Sequence, residues 1–533
     1  MPGTKEAGRL TVGATRPVES WKQQSVITSG LVLLSAVLGI YTQGVLAATL
    51  GLSGASDAFF AALALCLFVS YVVNTSVLNR EVPELARLLD PSHVPTGAFW
   101  ERAWRLTRPV SVVCAALGVA LFVGADWAIK LIAPGLTPDT SNLAAASLRV
   151  MSVPLAIQLC SSVLIAVQYS LQRQPLIQVT SLFYSASVIP AVLFLTPRIG
   201  PISASIGAGV SFCLMFVTIV VGSLVLARRQ VSPFNPSRPA GAEPSVAIVT
   251  LASVVFYGQT IVGPLIGSTI GEGTVAQLSF AYRPVEVLAR ALPVVIAYTV
   301  MPTLAAAHAR QHLSQAHAQA SEALRVTLVL ILPLSALLVA VRDPLIAVLY
   351  QRSAFSADAA RIVAPTLAWY AAALPGLSIV VVLNAILFSM GRQRWPLIIG
   401  LAMLLAYVAL GVVLGHIYGG IGVALAFCVT NLVGAVAGTA VSGRRDALAL
   451  SAAPWFRWTI AASVMALVCG GAAVLLAHAL PNLVQLFLGL VIGGGAAIVC
   501  VAAALAGSVR AGRAWLDQHV IRVLRPNANP SPR

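Results

Sequence analysis

Ala58-Phe-Phe-Ala-Ala-Leu-Ala-Leu-Cys-Leu-Phe-Val-Ser-Tyr-Val-Val-Asn-Thr-Ser-Val-Leu-Asn79 carries no charge from end to end and stops at Arg80. About twenty such residues cross the hydrocarbon core of a bilayer as one helix, and the run lacks the period-two alternation of a barrel strand. Thirteen further stretches of roughly similar length are predominantly apolar, at residues 26–52, 104–126, 147–170, 176–197, 202–227, 246–268, 275–302, 324–344, 362–390, 395–416, 419–441, 457–478 and 483–508. With 58% hydrophobic and 9% charged residues the chain cannot be a soluble globule. In lipid, backbone polar groups must be satisfied within helices or a closed barrel. The expected fold class is an all-α polytopic membrane protein of about fourteen transmembrane helices.

Loop charges test that count. The even-numbered connections hold Arg80, Arg87, Arg102, Arg105, Arg173, Arg228, Arg229, Arg392, Arg394, Arg444 and Arg445, and the tails add Lys5, Arg9, Lys22, Arg510 and Arg525. The odd-numbered connections hold few, chiefly Lys130, Arg198, Arg342 and Arg352. By the positive-inside rule both termini are cytoplasmic, which requires an even number of spans. Topology and contact with anionic membrane lipid then account for the net charge of +16, and no nucleic acid partner is expected.

Residues 1–25 are polar with no cleavage site behind a short apolar core, so they read as a cytosolic tail and not a signal peptide. The seven cysteines all fall inside spans without a CxxC pair, as packing residues. His308, His312 and His317 share a cytosolic loop and read as a solvated helix face; no metal or other cofactor is expected. Residues 513–524 have the amphipathic pattern expected of a short interfacial helix, within an expected cytosolic tail at 509–533.

The sequence repeats. The turn Tyr169-Ser-Leu-Gln-Arg173-Gln-Pro175 reappears as Phe388-Ser-Met-Gly-Arg392-Gln-Arg-Trp-Pro396, about 219 residues later. Gly54 matches Gly273 at the same offset, and Leu131-Ile-Ala133 recurs as Leu345-Ile-Ala347. An even number of spans separates the copies, so the halves share orientation and are related by an axis along the membrane normal. The reading is an N-lobe at 26–227, a cytosolic linker at 228–245, a C-lobe at 246–441, and two added spans within 457–508. Two six-helix lobes around a central cavity imply alternating access.

Ser35-Ala-Val-Leu-Gly39, Ala47-Ala-Thr-Leu-Gly51 and Ser56-Asp-Ala-Phe-Phe-Ala-Ala62 open the chain. Ala133-Pro-Gly-Leu136, Phe280-Ala-Tyr-Arg283 with Glu286, Met301-Pro-Thr-Leu304 and Leu349-Tyr-Gln-Arg352 with Phe355 follow in order. This series resembles the lipid II flippase family (MurJ/MviN) of the multidrug/oligosaccharidyl-lipid/polysaccharide exporter superfamily. The resemblance implies fourteen spans with both ends inside, residence in the bacterial inner membrane, and a polyprenyl-diphosphate-linked glycan as cargo. It also implies arginines after the first Ser, a few residues on as an Arg-Asp pair, and as a pair late in the second span. Those places hold Ala36, Thr42 with Gln43, and Ser70 with Tyr71, which makes the chain a divergent member and leaves lipid II competing with a lipid-linked sugar of another pathway.

Charge at bilayer depth costs roughly 3 kcal/mol or more and normally faces a water-filled cavity. Arg283, Glu286 and Arg290 stand at i, i+3 and i+7, on one face of the eighth span, which Pro284 and Pro293 interrupt. Taken with the resemblance, Arg283 grips the diphosphate, Glu286 positions it and Arg290 adds a second cation; the competing reading is an ion pair that only locks the helix. Asp57 at the outward end of the first hairpin is the fourth candidate, placed either to gate or to cap span two.

Three function classes meet these features. A flippase for an undecaprenyl-diphosphate-linked glycan, either lipid II or a polysaccharide repeat unit, needs no covalent chemistry. An ion-coupled multidrug exporter is the alternative, but Glu286 is the only clear mid-span acid. A membrane glycosyltransferase needs an extramembrane loop longer than residues 303–323. No GxxxxGK[ST] loop is present, so direct ATP use is not expected. The expectation is a monomeric, non-enzymatic flippase working beside cell-envelope biosynthesis proteins.

Overall fold

The computed structural model describes residues 18–89, 94–229 except 172, 232, 246–297 except 292, 294 and 295, 304, 313–442 except 390, 391 and 393, and 454–507. These form helices almost throughout. In order they are α1 (Val18–Leu50), α2 (Gly54–Arg87), α3 (Gly97–Val123), α4 (Ala125–Ile132), α5 (Pro138–Leu159), α6 (Ser162–Ser170) and α7 (Gln174–Pro190). Then come α8 (Thr196–Ile199), α9 (Ile202–Arg229), α10 (Val246–Ile270), α11 (Thr274–Ala291) and α12 (Leu313–Ala340). The remainder are α13 (Arg342–Tyr350), α14 (Ala357–Ser389), α15 (Arg394–Tyr418), α16 (Gly420–Ser442), α17 (Pro454–Leu476) and α18 (Asn482–Gly507).

Among the described residues thirteen helices are long and apolar enough to cross a membrane. The remaining expected span is α11, which is 18 residues long but carries Arg283, Glu286 and Arg290. Large apolar side chains left uncovered, such as Val112, Val119 and Phe122 on α3, form the surface that lipid solvates. This is a multi-pass membrane protein.

Local chemistry sets the helix starts. Ser53 caps α2 with Ser56 reciprocating, two orphan amides satisfied at once. Thr96 caps α3 and ties it back to α2 by donating to the Leu88 carbonyl at 2.7 Å. The fourth span begins earlier than hydropathy suggests: Thr137 caps α5 with Pro138 in its first turn, and the expected stretch 147–170 is broken between α5 and α6. Pro190 removes one amide from α7, and the chain passes through a π-helical turn, Ala191–Leu195, into α8.

The repeat extends further than its sequence match. Arg173 donates its amide to the Gln168 carbonyl, and Arg392 does the same to Leu387, both at 2.9 Å. Gly200 and Gly419, also about 219 residues apart, hold φ of 72° and 64°, a left-handed turn that favours glycine. Thr137 and Ser356 cap equivalent helices, and short helices α4 and α13 follow the third span of each half. Contacts inside each half run α2 on α5, α5 on α9 and α7 on α9, matched by α14 on α16 and α15 on α16. The halves meet where α2 packs on α10 and α1 on α13, while α17 and α18 pair and lean on α12. At the junction Phe280 of α11 is buried among Phe60, Tyr350 and Phe355, with ring centroids 5.0, 5.2 and 5.6 Å away. Each such pair adds about 0.5–1.5 kcal/mol beyond its burial.

Candidate functional site

Two clusters lie where the halves meet, at different depths. Near one membrane face Asp57 is buried, and it does not cap its own helix. Ser53 already fills that position, so the expected capping of span two is corrected. The Asp57 carboxylate reaches into the other half and accepts the amides of Gly273 at 2.6 Å and Ala276 at 2.8 Å, capping α11. Glu272 answers in the reverse direction, accepting the Gly54 amide at the start of α2 at 2.7 Å. Each half thus places a carboxylate on the positive helix end of the other, charge-assisted and aligned with the helix dipole.

A second reciprocal pair flanks the first. The Gly135 amide donates to Ser268 Oγ at the end of α10 at 3.2 Å, and the Ala354 amide donates to the Ala48 carbonyl at the end of α1 at 3.1 Å. A Cβ at Gly135 would lie 2.3 Å from the Ser268 carbonyl oxygen, which explains glycine at that position. These four contacts form a shut seam between the halves.

The second cluster lies deeper. From Ala276 to Arg283 is two helical turns, about 10 Å along α11. Arg283 Nη1 donates to Glu286 Oε2 at 2.8 Å, and Tyr71 of α2 reaches Glu286 Oε1 at 3.4 Å. The two charged side chains remain 25% and 15% exposed, so the pair borders accessible space and not a sealed core. Tyr71 pairs with Tyr257 at 5.1 Å between centroids, and the Thr75 and Tyr257 hydroxyls lie 3.2 Å apart, extending a polar aromatic wall along α2 and α10. Gly39 of α1 borders Arg283 Nη2.

Of the four expected site residues, the structure joins Arg283 to Glu286 and sets Asp57 apart in the seam. The Arg290 side chain lies outside the described residues, as do the side chains of His308, His312 and His317 and the tail helix at 513–524. Where the resemblance places arginines, Thr42 and Gln43 are buried, Ser70 accepts from Asn74 at 3.1 Å, and Tyr71 touches Glu286. Glu272 was missed. It precedes Gly273, the repeat partner of Gly54, at the position that Ser53 holds in the first half, so reading outward from the paired glycines finds it. Among the described residues no group of His, Cys, Asp and Glu could hold a metal ion.

Residues 46–492 match the profile of the family described as lipid II flippase MurJ. The chain belongs to that family. Relatives of the MurJ family include the lipid II flippase MurJ of Burkholderia cenocepacia, 25% identical over 71% of this chain and 75% of that one. Another is the probable lipid II flippase MurJ of Rhizobium meliloti, 26% identical over 76% and 78%. Among solved structures, a lipid II flippase MurJ in an inward closed conformation superposes with a TM-score of 0.70 at 19% identity, covering 91% of this chain and all of its own. An inward-facing multidrug resistance MATE transporter gives 0.59 at 14% identity, covering 79% and 95%. Both structures share the MurJ-type fold of this chain.

Proposed function

We propose that this protein moves an undecaprenyl-diphosphate-linked glycan precursor across the bacterial inner membrane by alternating access. The observation that supports it most is the Arg283–Glu286–Tyr71 cluster, accessible and held between the halves of a MurJ-family chain. Arg283 takes the diphosphate by charge-assisted hydrogen bonds, Glu286 holds the guanidinium in place, and Arg290 supplies a further cation two turns on. The polyprenyl tail stays in lipid throughout. No bond is made or broken, so the protein acts as a transporter and not an enzyme.

Positive-inside topology puts the face with Arg80, Arg173 and Arg392 in the cytoplasm with both termini. The Asp57–Glu272 seam is then the periplasmic gate, shut in this state, and the cluster is loaded from the cytoplasmic side. Opening exchanges the two cross-caps for water. The cargo is lipid II or a polysaccharide repeat unit, carried by a monomer in a membrane containing anionic lipid, beside cell-envelope biosynthesis proteins. Multidrug export is favoured less, because the accessible acid at the cluster is already paired to an arginine.

Depletion in the native host tests this. Loss of viability with lipid II retained inside supports lipid II as cargo, and viable cells lacking one surface polysaccharide support a repeat unit. Unchanged levels of every lipid-linked glycan on both faces would refute the flippase reading.

A further inference from the structure

The Arg283–Glu286 pair lies at the edge of a larger accessible surface. The outward part of α2 is closed, with Ala58, Phe59, Ala61, Ala62 and Cys66 all buried. From Val73 to Arg80, by contrast, every residue is half-buried. Because α2 is an inner helix, packed on α5, α6, α10 and α11, this partial exposure opens on the space between the halves and not on lipid. The same change runs along α11, where Phe280 and Ala281 are buried and Tyr282, Arg283 and Glu286 are half-buried.

The wall beside the charged pair is aromatic and neutral. The Tyr71 hydroxyl reaches Glu286 Oε1 at 3.4 Å while Glu286 Oε2 holds Arg283, so the Tyr71 ring begins one carboxylate away from the guanidinium. Tyr257 of α10 continues it, its ring centroid 5.1 Å from that of Tyr71 and its plane tilted by 40°. Both tyrosines are half-buried. Hydroxyls and one amide border the rings: Thr75 donates to the Tyr257 hydroxyl at 3.2 Å, and Asn74 is bonded to Ser70 at 3.1 Å and to Ser162 at 2.9 Å. None of these bordering side chains is charged. Two adjacent aromatic rings with a hydroxyl and amide rim suit a ligand that has an apolar face and a hydroxyl edge. That is the chemistry of a pyranose, whose C–H face packs on aromatic carbon while its hydroxyls exchange hydrogen bonds with the rim. A second phosphate would find no cation on this wall, and a cationic ligand drawn to the rings would meet the charge of Arg283 beside them.

We infer that Tyr71 and Tyr257 form a saccharide platform, which holds the pyranose joined to the diphosphate while Arg283 holds the diphosphate itself. The inference rests on the flippase reading and names the part of the cargo that the neutral wall recognises. Tyr71 stands where the resemblance implies one of a pair of arginines, so this chain replaces charge on the phosphates by contact with the sugar. The two rings come from different halves, α2 and α10, and a sugar on the platform engages both.

Tyr257→Leu and Tyr257→Phe in the full-length protein test it, with binding read by native mass spectrometry in lipid nanodiscs. The probes are undecaprenyl diphosphate and undecaprenyl-diphospho-N-acetylglucosamine, which differ by one pyranose. Wild type should bind the glycosylated probe about tenfold more tightly than the bare diphosphate, the scale of one aromatic contact. In Tyr257→Leu the ratio of the two affinities should fall to near one, and in Tyr257→Phe, which keeps the ring, it should stay near the wild-type value. A wild-type ratio of one would overturn the inference without any variant. So would an unchanged ratio in Tyr257→Leu, which would leave the ring only a contact between the halves. Should Tyr257→Leu fail to accumulate, Tyr257→Met, whose flexible side chain fills the space of the ring, takes its place in the same comparison. Saturable but equal binding of the two probes removes the platform alone; no saturable binding of either probe to wild type removes the flippase reading and the platform with it.

Discussion

Replacing Asp57 by alanine should unlatch the seam. The carboxylate accepts two amides, Gly273 at 2.6 Å and Ala276 at 2.8 Å, and a hydrogen bond to a charged group contributes about 1.5–3 kcal/mol. Water can enter the truncated site and hydrate the freed amides, so the lower figure applies to each. Two bonds then give about 3 kcal/mol, which shifts an open–shut equilibrium by more than one-hundredfold. Hydrogen–deuterium exchange on the protein in nanodiscs reads this directly, through a peptide covering residues 273–277. Its protected amides should exchange roughly one hundred times faster in Asp57→Ala. Asp57→Asn keeps an acceptor oxygen without the charge and should fall between the two. Unchanged exchange in Asp57→Ala would refute the reasoning, since it would show that α11 is held at the seam by its packing and not by the cross-cap.

Gly135→Ala should loosen the same seam by sterics, because the new Cβ meets the Ser268 carbonyl oxygen at 2.3 Å; Thr49 is half-buried next to Ala48, whose carbonyl is part of the seam, and a Thr49→Cys reporter should then react faster with a membrane-impermeant maleimide than in the Gly135 parent. Glu272→Ala removes a single cap from Gly54, about 1.5 kcal/mol, and should speed amide exchange at the start of α2 about tenfold. At the opposite face Glu81 is buried and bonded by Arg102 Nε at 3.1 Å. Arg102→Ala should therefore lower the melting temperature, as loss of one partner leaves a buried charge poorly paired, and Arg102→Ala with Glu81→Gln should recover part of the loss.

Apolar run length made most of the helices legible, and the offset repeat disclosed the architecture. The failures have physical causes. Hydropathy starts the fourth span too late because residues 138–142 are mostly polar, although Thr137 and Pro138 are sufficient to start a helix there. The break after Leu159 and the π turn after Pro190 depend on backbone bonding that hydropathy does not register. Arg283 and Glu286 were legible because their pairing is local, one helical turn apart. The role of Asp57 was not, since its partners lie 216 and 219 residues away in the chain and only the folded halves bring them together.

A cargo-binding Arg283 and one that merely neutralises Glu286 differ in what happens when both partners are removed. Reconstituted vesicles containing a fluorescent polyprenyl-diphosphate glycan, with outer-leaflet label quenched by dithionite, measure translocation by wild type, Arg283→Ala, Glu286→Ala and the double variant at equal protein density. Removing both members of a buried ion pair avoids the cost of an unpaired charge, so a purely structural pair predicts that the double variant regains transport. A cargo-binding Arg283 gives the opposite: translocation stays at the protein-free rate in Arg283→Ala and in the double variant, although both insert at wild-type levels. Recovery of transport in the double variant would contradict it.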